Sequence, residues 1–249
     1  MRREEIPVCG LKAVRALFTQ HPQSIERLYF DHETSKRVGV ITQTLAKSRK
    51  VYRVVEPSEL EKISGTVHHG GIVAVIVQAA FRSPLPADVV NWARRREPLL
   101  LLDRIGNSHN LGAIVRSAAW FGVPYVILPK HSQAALPGEA TWRIAEGGME
   151  YVDFFQVQNL AEFCRSIAIH YEVVGTSLRG KDLEYHGRPS EKPVALVLGN
   201  EEAGMSDEVA AACTRLVKIP GSSTVESLNV SVAAAILIWE FYGRKPRRP

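Results

Sequence analysis

From residue 98 onward, short and mostly apolar runs alternate with helical patterns, and no other feature constrains the fold as much. Residues 99–102, 125–128, 172–175, 194–198 and 216–219 read as strands; 112–121, 160–168, 207–212 and 228–242 read as helices. A strand with no polar alternation has both faces covered, which requires helices on the two sides of a parallel sheet. In such sheets ligands sit beyond the carboxyl ends of the strands, so the loops after Leu102, Leu198 and Ile219 are where chemistry is expected.

The earlier part of the chain is organised differently. Residues 11–18 read as a helix, 25–30 as a strand, 34–46 as a helix capped by Thr34, and 51–55 as a strand. A short helix then opens at Pro57, and 72–77 is an apolar strand after the turn His69-Gly70-Gly71. Phe81-Arg82-Ser83-Pro84-Leu85-Pro86, the run Arg94-Arg95-Arg96 and Pro98 interrupt regular structure. The expected organisation of the 249 residues is therefore a smaller α/β domain over 1–80, a linker over 81–97 and a parallel-sheet α/β domain over 98–249.

Charge separates the same two parts. The net charge is +5, and residues 1–97 contain 16 Lys and Arg against 10 Asp and Glu, whereas the remainder contains 15 against 16. A basic domain beside a near-neutral one suits a protein that grips a polyanion with one part and acts on it with the other. Lys36, Arg37, Lys47, Arg49, Lys50 and Arg53 are the candidate nucleic-acid contacts, a merely solvated surface being the alternative. The three cysteines, Cys9, Cys164 and Cys213, are far apart and form no C-x-x-C pair, which excludes a disulfide scaffold or a cysteine-rich zinc module and suits a reducing cytosol. No apolar stretch approaches the roughly 20 residues of a membrane span, and Met1-Arg2-Arg3-Glu4-Glu5 leads into no signal-peptide core. A cytoplasmic protein without membrane contact is expected.

The three loops differ in chemistry. The first, Asp103-Arg104-Ile105-Gly106-Asn107-Ser108-His109-Asn110, precedes a helix that Asn110 can cap and that bears Arg116 among apolar neighbours. An arginine on the buried side of such a helix is costly unless it meets an anion or a carboxylate. The second, Gly199-Asn200-Glu201-Glu202-Ala203-Gly204-Met205-Ser206, has the glycine spacing that begins a phosphate-binding loop. Met205-Ser206 replaces its Lys-Ser/Thr, so that reading is rejected, and no G-x-G-x-x-G occurs. The third, Pro220-Gly221-Ser222-Ser223-Thr224-Val225-Glu226-Ser227-Leu228-Asn229, feeds a helix apolar on nearly every side, which is expected to be buried. The eight histidines show no metal-ligand spacing, so no metal is expected.

Taken together, Asn110-Leu111-Gly112 with Arg116-Ser117, Leu198-Gly199-Asn200-Glu201 with Gly204, and Ile219-Pro220 with Ser227-Leu228-Asn229-Val230-Ser231 resemble the SpoU (TrmH-type) branch of the SPOUT RNA methyltransferases. The resemblance covers 98–242, while residues 5–78 are more loosely similar to the ribosomal-protein-like substrate-binding domain of many members. It implies a trefoil knot in the catalytic domain, a homodimer, S-adenosylmethionine as methyl donor and a ribose 2′-hydroxyl of RNA as acceptor. By the same resemblance, Gly199, Ile219 and Leu228 cradle the adenosine, with Thr176, Leu198 and Asn200 beside it; Arg116 is the catalytic arginine, with Asn110, Glu201, Ser227 and Asn229 arranging acceptor and donor. Glu146 departs from the small neutral residue common in the family.

Ribosomal RNA is the expected target, since an added basic domain suits a folded RNA; transfer RNA, or a non-catalytic RNA-binding protein on the same scaffold, are the alternatives. An arginine normally stays protonated, so Arg116 is expected to contact an RNA phosphate and to stabilise developing alkoxide charge. The basic tail Arg244-Lys245-Pro246-Arg247-Arg248 offers further phosphate contacts or is a simple chain end.

Overall fold

The computed structural model describes residues 4–183, 191–222 and 224–243; Ser223 and the basic tail lie outside them. The chain divides into two units, one comprising residues 1–80 and 137–150, the other 81–136 and 151–249.

The first unit is built on a four-stranded sheet of β1 (Glu4–Cys9), β2 (Ile25–Phe30), β3 (Val51–Val54) and β4 (Ile72–Gln78), ordered β1-β4-β2-β3. β4 is antiparallel to both its neighbours, whereas β2 and β3 run parallel. Pro7, which cannot donate to a ladder, falls on the edge strand β1. Helices α1 (Leu11–Gln20), α2 (His32–Ser35), α3 (Gly39–Lys47) and α4 (Pro57–Ser64) connect the strands. The single helix expected over 34–46 is two, because Asp31 rather than Thr34 supplies the cap: its Oδ1 accepts from the Thr34 amide at 2.7 Å.

The expected linker contains a helix that anchors it to the second unit. Helix α5 (Pro86–Arg94) buries Val89 and Trp92 in the second unit, with the Trp92 ring stacked on Tyr125 at 4.2 Å. That unit has six parallel strands, β5 (Leu99–Asp103), β6 (Tyr125–Pro129), β7 (Asp153–Val157), β8 (Glu172–Asp182), β9 (Val194–Gly199) and β10 (Arg215–Lys218), in the order β10-β8-β9-β5-β6-β7. Its helices are α6 (Ser108–Phe121), α8 (Leu160–Ile167), α9 (Asp207–Ala212) and α10 (Val230–Ile238). Leu99 and Leu101 pack with α5, α8 and α9, while Leu100 and Leu102, pointing the other way, are equally buried. This two-sided burial is what the unbroken apolar run required.

Helix α7 (Glu139–Ala145), between β6 and β7 in sequence, belongs to the first unit and packs on β1. Gly147, at φ +93°, is what allows close packing there: a Cβ on it would sit 2.9 Å from the Ala16 Cβ. Glu146, the departure noted in the sequence, ends α7 in the left-handed region at φ 46° and pairs with Lys12 Nζ at 3.0 Å.

Candidate active site

The order of the parallel strands reverses between β5 and β9, and the loops leaving their carboxyl ends lie side by side. That is where a doubly wound sheet opens a crevice. A cavity of about 580 Å3 occupies it, walled by Arg104, Asn107, Asn110, Asn200, Glu201 and Asn229 among others. All three loops singled out in the sequence contribute to this wall.

The polar side chains are joined in sequence. Asn110 Nδ2 donates to Glu201 Oε1 at 2.8 Å, and Asn229 Nδ2 donates to Asn110 Oδ1 at 3.1 Å. Asn229 is in turn fixed as the cap of α10, its Oδ1 accepting from the Ser231 amide at 2.9 Å and from Ser231 Oγ at 2.6 Å. Asn110 is not the cap of α6. Asn107 is, accepting from the amides of His109 and Asn110 at 2.8 and 3.3 Å, and this releases the Asn110 side chain for the cavity. Among the described residues Glu201 Oε2 has a long contact, 3.4 Å, from Asn200 Nδ2, so it retains capacity to accept from a hydroxyl.

Asn200 shapes the second loop. Its Oδ1 accepts from the amides of Glu202 and Ala203, both at 3.0 Å, and its backbone pairs with Gly204 in both directions at 3.0 Å. This return explains Gly199. A Cβ there would lie 2.2 Å from the Met205 amide nitrogen and 2.4 Å from the Gly204 carbonyl carbon, so the glycine is required by the chain's own backbone.

Asp103 ties the two loops together. It is 3% exposed; its Oδ2 accepts from the Ser206 amide at 2.7 Å and its Oδ1 from Arg104 Nε at 3.1 Å. Arg104 sits at φ 59°, a conformation that costs a non-glycine residue about 1 kcal/mol or more and that the flanking bonds hold in place. Its carbonyl accepts from Asn200 Nδ2 at 2.8 Å. Arg104, Asn107 and Gln133 went unassigned in the sequence; only the polar residues directly after the β5 run pointed to the first two, and nothing marked Gln133.

The other expected residues do not line this cavity. Arg116 is exposed, not on the buried side of α6. Six residues past Asn110, it is rotated about 120° from it around the helix and shares a face with Trp120, itself 72% exposed. Ser227 and Leu228 are exposed in the third loop, Ile219 and Thr176 are half-buried, and Leu198 and Gly199 are buried at the end of β9. Helix α10 is buried along one side only, Val232 being 48% exposed.

Nucleophilic cysteine chemistry has no support: burial pushes the thiols of Cys9, Cys164 and Cys213 up to about 12. Among the described residues no three His, Cys, Asp or Glu side chains converge as a metal site, and no helix is long and apolar enough to cross a membrane.

A match to the SpoU rRNA methylase family spans residues 97–239. The chain belongs to that family. Residues 7–82 match the RNA 2′-O-ribose methyltransferase substrate-binding domain. An uncharacterised tRNA/rRNA methyltransferase of Escherichia coli O157:H7 is 35% identical over 97% of this chain and 69% of its own length. A 23S rRNA (guanosine-2′-O-)-methyltransferase of Nitrosomonas europaea is 32% identical over 97% of this chain and 92% of its own. The solved structure of an rRNA methyltransferase from Sinorhizobium meliloti with S-adenosylmethionine bound superposes with a TM-score of 0.73 at 26% identity, covering 95% of this chain and 86% of that one.

This SpoU chain fits the donor its family implies. Residues 219–222 and 224–229 belong to no helix or strand, so the backbone amides and carbonyls around Ile219 and Leu228 serve no ladder. Between the pairings of Leu216 and Val217 in β10, residues 176–180 bulge out of β8, placing Thr176 where the ladder is interrupted. A neutral, backbone-rich donor set suits an adenosine edge better than an anion.

Proposed function

We propose that this protein transfers a methyl group from S-adenosylmethionine to a ribose 2′-hydroxyl of ribosomal RNA. The observation that carries the reading is the hydrogen-bonded set Asn229–Asn110–Glu201 closing one cavity at the strand-order reversal. The relatives named as 23S rRNA 2′-O-methyltransferases support the substrate class.

The donor supplies an activated methyl group; the protein supplies alignment and help with the hydroxyl proton. The backbone at Gly199, Ile219 and Leu228, with Thr176, Leu198 and Asn200 nearby, holds the adenosine. Asn110 and Asn229, each fixed by a second hydrogen bond, orient the acceptor ribose, and Glu201 Oε2 accepts from its hydroxyl. Ser227, beside Asn229, adds a hydroxyl at the mouth of the site. Arg116 binds an RNA phosphate and stabilises the developing alkoxide.

That role for Arg116 requires a second copy of the chain. Arg116 lies on an outer face with Trp120, 72% exposed, and the packed partner helix α10 leads into Trp239, 49% exposed, with Val232 also bare. An apolar face of this kind rimmed by charge supports a homodimer in which one protomer's α6 and α10 are covered by its partner. The knotted C-terminal segment, the division of labour between an RNA-gripping domain and a catalytic one, and a cytoplasmic setting belong to the same proposal.

The test is transfer of labelled methyl to unmodified 23S ribosomal RNA and to transfer RNA. Label in the ribosomal RNA is the expected result. Label only in transfer RNA would move the substrate class, and donor binding without label in any RNA would establish a non-catalytic RNA-binding protein.

A further inference from the structure

A second cavity, about 230 Å3, opens at the carboxyl ends of β5 and β6 and is separated from the first by Arg104, which lines both. Pro129, Leu160 and Val209, all buried, form its floor. Exposed His131, Gln158 and Glu208 stand on its rim with half-buried Asn159. None of the roles assigned to the methyl-transfer site uses this space.

Its size and lining select the occupant. It is smaller than the roughly 300 Å3 at which pockets for whole drug-sized ligands begin, so it takes a fragment such as one heterocycle. Its cations are offset: Arg104 is paired with Asp103, and the lining holds one carboxylate, Glu208, besides Lys130. A phosphate would choose a more basic lining, whereas an apolar floor with amides and a carboxylate at the edge suits a nucleobase, which stacks on one surface and hydrogen-bonds along the other. Two rim groups have defined polarity. His131 Nδ1 accepts from the Gln133 amide at 3.1 Å, which leaves Nε2 as the outward group. Asn159 Oδ1 caps α8 at 3.0 Å from the Glu162 amide, which turns its NH2 to the remaining space.

The His131–Gln133 turn also joins the two sites physically. His131 lines the second cavity and Gln133 the first, so a chain with one residue in each would cross only this turn and Arg104. We infer that the second cavity binds an unstacked base of the substrate RNA next to the methylated nucleotide, and so contributes to the choice of target. The inference rests on the RNA reading of the first cavity. Splaying a neighbouring base into a pocket of its own is a way of reading single-stranded RNA that rigid duplex does not allow.

The double variant Gln158→Ala, Glu208→Ala removes two exposed rim groups without touching the floor, and His131→Asn is a second, independent change that keeps a polar group at the turn. Each is titrated against an unmodified 23S ribosomal RNA transcript and, separately, against S-adenosylmethionine. The expected result is about tenfold weaker RNA binding, the size associated with losing one or two hydrogen bonds, with donor affinity unchanged. RNA affinity equal to that of the unaltered protein in both variants would overturn the inference, as would a loss of donor affinity alone. Because binding is read directly, unaltered protein that holds RNA but transfers no methyl would refute the proposed activity while leaving the base pocket to stand or fall on the variants.

Discussion

Among the described residues Glu150 is a buried carboxylate whose ionisation opposes the fold, and Glu150→Gln measures by how much. Its side chain is 2% exposed, Oε1 has no hydrogen-bond partner, and Oε2 faces only His21 Nε2 at 3.6 Å. His21 is 62% exposed, so water screens its pull. Burial pushes the carboxyl from 4.5 up to about 7. The native state therefore keeps a proton that the unfolded chain releases above about pH 4.5, and stability is greatest below that value, falls as pH rises and levels off above about 7. The span between the two values corresponds to roughly 3 kcal/mol. Glutamine has the same shape and cannot ionise, so Glu150→Gln gains on the unaltered protein with rising pH, by about that amount between pH 4.5 and 8. Urea unfolding at intervals across this range reads the difference, in which the other titrating groups cancel. A variant offset that stays constant with pH would refute the reasoning.

Three further outcomes follow from the site and its supports. Asn110→Ala breaks both links of the set formed with Glu201 and Asn229 and should lower kcat about 100-fold in single-turnover assays while donor affinity changes little. Gly199→Ala forces a Cβ to within 2.2 Å of the Met205 nitrogen and should cost about 2–3 kcal/mol in denaturant unfolding, with loss of donor binding as the 200–204 turn opens. Arg49→Ala combined with Arg53→Ala removes two exposed cations around the start of β3 and should reduce the salt dependence of RNA binding by about two phosphate contacts, whereas Lys50, already bonded to the Gln23 carbonyl at 2.6 Å, should contribute less.

The parallel sheet was legible because residues 99–102, 125–128 and 194–198 lack any polar face, and strands buried on two sides belong to sheets covered by helices. Elements without such a signature went unread. β1 begins with two glutamates and contains Pro7, and β7 and α7 lie in a stretch with neither period, so nothing local distinguished them. The helix starts were misplaced where two residues compete as caps: Asp31 and Asn107 precede Thr34 and Asn110, and each wins because its side chain reaches the first free amides. At the site, Asn110, Asn200, Glu201 and Asn229 were legible as polar residues at strand ends, and the structure brings them together. Arg116 was not legible as an outward residue, since a single helical sequence does not say which neighbour covers it. Gly199 was named in the sequence only as an adenosine contact, and its structural need, a backbone returning on itself at Met205, depends on a turn that no local pattern announces.

The central claim is that the Asn229–Asn110–Glu201 set positions a ribose hydroxyl and not a base nitrogen. The most direct measurement is mass spectrometry of nucleosides released from 23S ribosomal RNA after incubation with S-adenosylmethionine and either the unaltered protein, Asn110→Ala or Arg116→Ala. A single new nucleoside methylated on its ribose is expected, present with the unaltered protein and lost with both variants. A methyl group on a base, or a ribose methyl that survives Asn110→Ala at full yield, would contradict it.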